Sequence, residues 1–262
     1  MRKLCLWVGL MFLGWSSGAS ALPVNNPVTS GLIAAYEFSG DADDSSGSGN
    51  DGVVHGATLT TDRFGNTNSA YLFDGDTDRI EISPVFSGDQ DPVTFSAWVN
   101  IEETGGSIYG GFTYYGETRN FFKAYASGAL TFDQYHPAGG GIDVEVGLEN
   151  YVQQWAHVVL TKESNVVSGY LNGAFINSVS HTETYSGPSS TMAALGNRFN
   201  YFSGGWGDRN FDGTMDDVYI YDRALSPAEV QTLYSAVPEP STALLLGLGL
   251  AGMAAASRRR VS

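Results

Sequence analysis

Residues Val93–Ile101 alternate without a break. Val93, Phe95, Ala97, Val99 and Ile101 fall on one side of an extended chain, and Thr94, Ser96, Trp98 and Asn100 fall on the other. Successive side chains of a strand point to opposite faces, so this segment is a strand with one face in a core. Trp155–Lys162 repeats the pattern with Ala156, Val158 and Leu160 inward. Helical periodicity is nearly absent elsewhere. Short alternating runs bounded by Gly, Asn, Asp and Ser recur instead, which is the pattern of a β-sandwich or barrel. The other strands are expected near Leu32–Phe38, Val53–Leu59, Ala70–Phe73, Arg79–Ser83, Ser107–Tyr115, Phe121–Ala126, Leu130–Tyr135, Ile142–Gly147, Val166–Leu171, Ala174–Ser180, Ala193–Leu195 and Asp217–Tyr221.

Two local signals add detail. Gly169-Tyr170-Leu171 meets Ala174-Phe175-Ile176 across Asn172-Gly173. Asn and Gly tolerate the positive φ angles of a type I′ turn, so the two strands form a hairpin. Ser226-Pro227-Ala228-Glu229 supplies an N-cap, a proline at the first helical position and a capping-box glutamate. It predicts one short helix, with Val230, Leu233 and Tyr234 toward the sheet.

Both ends carry processing signals. Arg2 and Lys3 precede an apolar stretch from Leu4 to Trp15, and Ala19-Ser20-Ala21 closes it as a small-x-small cleavage site. Residues 1–21 therefore read as a signal peptide that signal peptidase removes. At the other end, Ala243–Ala256 is an uncharged run followed by Arg258, Arg259 and Arg260. At ~1.5 Å per helical residue the run reaches only about 21 Å, but 242–257 together can just span a bilayer. Arginines beside such a segment stay on the cytoplasmic side. Between the ends, 22–236 is one domain's worth of all-β chain.

The formal charge of the whole chain is −15. Removing 1–21 and the tail beyond Pro240 takes away five of the 13 basic residues and leaves eight against 28 acidic ones. Such a balance argues against nucleic acid and anionic membrane surfaces as partners, and suits an extracellular protein or a hard cation. The one cysteine, Cys5, lies inside the signal, so the remaining chain has no disulfide or thiol chemistry.

The tail, Val237-Pro238-Glu239-Pro240-Ser241-Thr242, then an apolar run, then Arg258-Arg259-Arg260, resembles a PEP-CTERM sorting signal. The resemblance implies a Gram-negative bacterium, export across its inner membrane, and a transient C-terminal anchor. An exosortase-type membrane protease would cut near Pro238, Glu239 and Pro240. The body resembles the laminin-G-like, concanavalin A-like jelly-roll domains. Four stretches carry this: Ala35-Tyr36-Glu37-Phe38 with the loop Asp43–Gly52; Ala70–Gly75 with Asp78–Ile82; Phe95–Val99 with Trp155–Val158; and Phe211–Ser226. The implied fold is all-β, a two-sheet antiparallel sandwich with one short C-terminal helix.

Family members often carry calcium, and their first and last strands are usually neighbours. The resemblance therefore nominates Asp44 with Asp216, joined by Asn50 or Asp74, as a structural Ca²⁺ site. The alternative is a polar loop whose side chains satisfy backbone N–H groups. Asp41-x-Asp43-x-Ser45 opens like an EF-hand, but position six is Ser46 and position twelve is Gly52, so no EF-hand forms.

Some relatives on this fold are β-glucanases with a Glu-x-Asp-x-Glu strand. Retaining hydrolysis needs a nucleophile and an acid/base about 5 Å apart. Here Gly141-Ile142-Asp143-Val144-Glu145 matches the aspartate and the acid/base, but the nucleophile position is Gly141, and Glu149 is a poor substitute. His55, His136, His157 and His181 are scattered and form no triad, and no Gly-x-Ser-x-Gly elbow exists. A different chemistry is offered by the loop Gly196–Phe211. Trp206 and Tyr201 could stack on a sugar while Asn200 and Arg209 bind hydroxyls, joined by Tyr114, Tyr115 and Tyr135; alternatively the rings pack under the loop. The reading is an exported, non-catalytic surface or matrix protein that binds extracellular polysaccharide or a surface protein. The alternatives are a glycan hydrolase or lyase on the same fold, and a purely structural matrix component.

Overall fold

A computed structural model describes residues 26–83, 92–102, 110–115, 120–124, 129–134, 142–180, 192–196 and 211–236. In chain order the strands are β1 Leu32–Tyr36, β2 Val53–His55, β3 Thr58–Thr60, β4 Ala70–Asp74, β5 Arg79–Ile82, β6 Val93–Ile101, β7 Gly110–Tyr115 and β8 Asn120–Ala124. They continue with β9 Ala129–Gln134, β10 Ile142–Glu145, β11 Trp155–Glu163, β12 Val166–Leu171, β13 Ala174–Ser180, β14 Met192–Leu195 and β15 Asp212–Tyr221. Helix α1, Pro227–Ser235, closes the domain.

The strands form two antiparallel sheets. The first runs β13-β12-β11-β6-β15-β4-β3, with β1 also paired to β15; the second runs β10-β9-β8-β7-β14-β5-β2. First and last strands are thus neighbours, with Tyr36 opposite Val218. Between the sheets lies the main core. It takes the inward set foreseen on β6 (Val93, Phe95, Ala97, Val99, Ile101) and that on β11 (Ala156, Val158, Leu160). Phe73 and Phe211, both wholly buried, meet edge to face at 5.7 Å. Truncating one such ring to alanine costs about 3–5 kcal/mol.

The outer face of the first sheet is not left to water. Val28, Tyr219, Tyr221 and Leu225 form a second apolar cluster there with Val230 and Leu233 of α1. The helix begins as its sequence demands: Ser226 and Glu229 complete the capping box, and Pro227 sits in the first turn. Arg223 adds two bonds to the Glu229 carboxylate, at 2.7 and 3.0 Å. Together with the Ser226 N–H, Arg223 holds that carboxyl down to about 2. In the β12–β13 hairpin, Asn172 (φ 49°) and Gly173 (φ 79°) both adopt the left-handed conformation foreseen.

Two elements differ from expectation. The run Val53–Leu59 is two strands, β2 in the second sheet and β3 in the first. The break is Gly56, at φ 84°, where an added Cβ would collide with the Asp78 carboxylate. Strand β15 begins at Asp212 rather than Asp217, because Asp216 and Asp217 are buried carboxylates inside it. No helix among the described residues is long and apolar enough to cross a membrane.

Candidate functional site

The described polar chemistry concentrates on the outer face of the first sheet, where Trp98 of β6 lies opposite both His157 of β11 and Asp216 of β15. Between Asp216 and Tyr219 the register of β15 against β6 shifts. Asp217 there adopts φ 45°, a left-handed conformation that costs a non-glycine residue of order 1–3 kcal/mol. The bulge presents two adjacent carboxylates to one guanidinium. Arg63, from the turn between β3 and β4, bonds Asp216 through Nη1 at 2.7 Å and Asp217 through Nη2 at 2.6 Å. Its side chain is only 6% exposed.

Asp62 builds the turn that delivers Arg63. Its Oδ1 accepts from the N–H groups of Phe64 and Asn66, and its Oδ2 from the Asn66 amide. The guanidinium carbon then lies 4.3 Å from the centre of the Phe64 ring and 4.4 Å from that of Trp98. Trp98 stacks in turn on Tyr234 of α1 at 5.6 Å and leans on His157 at 5.3 Å.

Two carboxyl groups share one cation in this cluster. Burial first, and then the charge of Asp217, raise the Asp216 carboxyl well above the usual carboxylate range; Arg63 opposes this only in part. His157 goes the other way. Burial, and secondarily Arg63, lower it to about 3, so the ring is neutral at any ordinary pH. Its Nε2 pairs with the Ser96 hydroxyl at 2.9 Å. Its N–H groups and ring are enclosed, which makes it a structural histidine. The arrangement ties β6, β11, β15, the 61–69 turn and α1 together.

Asp44 has a different office. Its Oδ1 accepts from the N–H groups of Ala35 and Ser46, both at 2.9 Å, and its Oδ2 from that of Asn50 at 3.0 Å. Ser45 bonds the Ala35 carbonyl, and the Asn50 amide bonds that of Ile33. The loop therefore covers the side of β1 that faces away from β15. Asp44 and Asp216 stand in these separate networks. Asp74 works as a turn builder too: N–H bonds, that of Asp76 foremost, hold its carboxyl below the usual range. Among the described residues, no three of His, Cys, Asp and Glu are grouped as metal ligands. Exposed carboxylates do crowd at the mouth of the acidic loop, where Asp41 above all raises Asp43.

The glucanase-like acids, Asp143 and Glu145, are exposed on β10, the last strand of the second sheet. Their neighbours in register are Thr131 and Ala129. Gly141 lies outside the described residues, as do Trp206, Tyr201, Asn200, Arg209, Tyr135 and the tail residues Pro238, Glu239, Pro240, Arg258, Arg259 and Arg260. Arg63 and Asp217 had escaped the sequence reading. The one available signal was the Asp62-x-x-x-Asn66 turn pattern, which locates the loop but not its distant partners.

Comparison with known proteins fits this architecture. The family described as the concanavalin A-like lectin/glucanases superfamily matches residues 74–231, and the PEP-CTERM protein-sorting motif matches 236–260. No curated protein matches the chain. Among solved structures, domain 4 of AbnA, a GH43 extracellular arabinanase from Geobacillus stearothermophilus solved with arabinotriose, is similar with a TM-score of 0.59 at 21% identity. That match covers 78% of this chain and 98% of that one. The binding domain of Paraclostridial Mosquitocidal Protein 1 is similar with a TM-score of 0.61 at 19% identity, over 79% of this chain and 52% of that one. The botulinum neurotoxin serotype D binding domain gives 0.60 at 13%, over 80% and 52%. The chain thus spans about half the length of the two toxin chains, and these likenesses speak to fold. The sorting motif marks an exported protein handled by exosortase. With more than half its length matched by the family, the chain belongs to the concanavalin A-like lectin/glucanases superfamily.

Proposed function

We propose that this protein is a non-catalytic binding module of the cell surface or extracellular matrix, holding an extracellular polysaccharide or a surface protein. One observation carries the reading. The domain shares its fold with domain 4 of the arabinanase AbnA, matched over 98% of that domain, which was solved in complex with arabinotriose. The exposed placement of Asp143 and Glu145 supports it, since a glycosidase needs its two carboxylates facing across a substrate cleft. In this reading, signal peptidase frees 22–236 from the signal, and an apolar segment at 242–257 holds the protein transiently in a Gram-negative inner membrane. Exosortase cleavage near Pro238-Glu239-Pro240 then releases it. The loop of Trp206, Tyr201, Asn200 and Arg209 contacts the sugar. A structural Ca²⁺ ion belongs to this reading as well, at a place that no grouping of the described carboxylates marks.

The test is a glycan array probed with the exported protein, with and without EDTA. Binding to a defined glycan, abolished by Trp206→Ala, is expected, and loss of it in EDTA would establish the calcium. A blank array from folded protein would overturn the sugar reading and leave a protein partner.

A further inference from the structure

The two sheets end, among the described residues, in four strands: β3 and β13 in the first, β2 and β10 in the second. A free strand edge is a template for another chain, and proteins blunt such edges with shortness, charge or cover. β2 and β3 are three residues each; β10 is four, with Asp143 and Glu145 exposed. β13 has seven residues, and five of its first five plus Ser180 are exposed. Residues 164–182 contain no Asp, Glu, Lys or Arg in a chain of net charge −15. Beside the edge, Val166, Phe175 and Ile176 are 40%, 51% and 45% exposed.

The backbone of this edge is open in a specific way. The tight turn makes Leu171 and Ala174 the closing pair of the hairpin, and one extra residue, Ile176, shifts the register so that Gly169 faces Asn177. Hydrogen-bonded and non-bonded pairs alternate along an antiparallel ladder, so Ser178 and Ser180 turn their backbone groups away from β12. The Ser178 N–H confirms it: it donates to the Asn177 side-chain carbonyl at 2.8 Å.

We infer that β13 is a self-association edge that pairs antiparallel with β13 of a second copy, about a two-fold axis at Val179. Ser178 of each copy then faces Ser180 of the other, and the two first sheets become continuous. The occupant follows from charge. Two copies this acidic repel each other over most of their surfaces, and an uncharged edge is where they can approach. A two-fold contact also needs a patch that complements itself, which an antiparallel strand does. The Asn177 amide holds the place of the incoming carbonyl in the single copy. This inference is independent of the ligand reading.

Sedimentation velocity on the exported protein tests it, over about 1 to 100 µM. A dimer that grows with concentration is expected. Ser178→Lys puts two lysines diagonally across the axis on one face of the joined sheet and weakens it about tenfold or more, whereas Asn177→Ala frees the N–H and strengthens it. Ser180→Lys repeats the first test at a second exposed site, with circular dichroism to confirm an unchanged fold. A monomer at every concentration, or a dimer indifferent to both lysines, overturns the proposal.

Discussion

β1 and β13 belong to the same sheet, and among the described residues each leaves one side of its backbone without a neighbouring strand. The chain treats them in opposite ways. Along β1 the loop residues Asp44, Ser45 and Asn50 take up the N–H and C=O of Ala35 and the C=O of Ile33. Along β13 one asparagine side chain occupies one N–H. The difference teaches that the acidic loop is a cover before it is anything else: its most buried carboxylate does what a strand would do. It also shows that the bareness of β13 is not a general property of the fold, since the same sheet closes its other exposed backbone. The bulge at Asp217 follows the β1 pattern, with Arg63 as the cover.

The comparison breaks first at that bulge. Arg63→Ala leaves two carboxylates buried without their cation, and removing one partner of a buried pair costs about 3–5 kcal/mol. Thermal and urea unfolding are expected to show that loss, and a value near zero would mean the cover is dispensable. Asp44→Ala comes next. It orphans three N–H groups at a site only 9% exposed, for about 3 kcal/mol of stability. Hydrogen exchange should quicken at Ala35 and Asn50 while β13 stays unchanged, which separates the two edges directly.

Acid is the third test. The folded chain holds His157 neutral down to about 3, whereas an unfolded histidine protonates near 6.5. The folded pKa is the lower of the two, so protons bind the unfolded state more readily. His157 therefore lowers stability as pH falls from 6.5 toward 3, by on the order of a few kcal/mol. His157→Gln should flatten that part of the pH profile relative to the parent, and an unchanged slope would place the acid sensitivity elsewhere. The smallest effect belongs to β13: Ser180→Lys is expected to move the stability of a single copy by no more than about 0.5 kcal/mol. A larger loss would mean that β13 is already covered.

Much of this was legible in the sequence, and the reasons are particular. β6, β12 and β13 were bounded to the residue because their alternating runs have sharp ends, and the start of α1 was legible because Ser226, Pro227 and Glu229 act locally. The split of Val53–Leu59 was hidden because its cause is a carboxylate on another turn, Asp78, packed against Gly56. The first half of β15 was hidden because buried aspartates look like loop residues until their cation is known. That cation stands 153 residues away from Asp216, and no local pattern announces it. Asp44 was nominated as a calcium ligand on the resemblance, whereas its N–H partners come from β1 and its own loop, a distinction that only the folded backbone makes.

The position of β15 has a mechanical consequence. A pull on the sorting tail reaches α1, then Leu225, then the end of β15. That strand is gripped by β6 on one side and by β4 and β1 on the other, all antiparallel. Tension along it loads those ladders in shear, so many hydrogen bonds must fail together rather than one after another. A domain hung this way can be hauled by its tail without being unzipped.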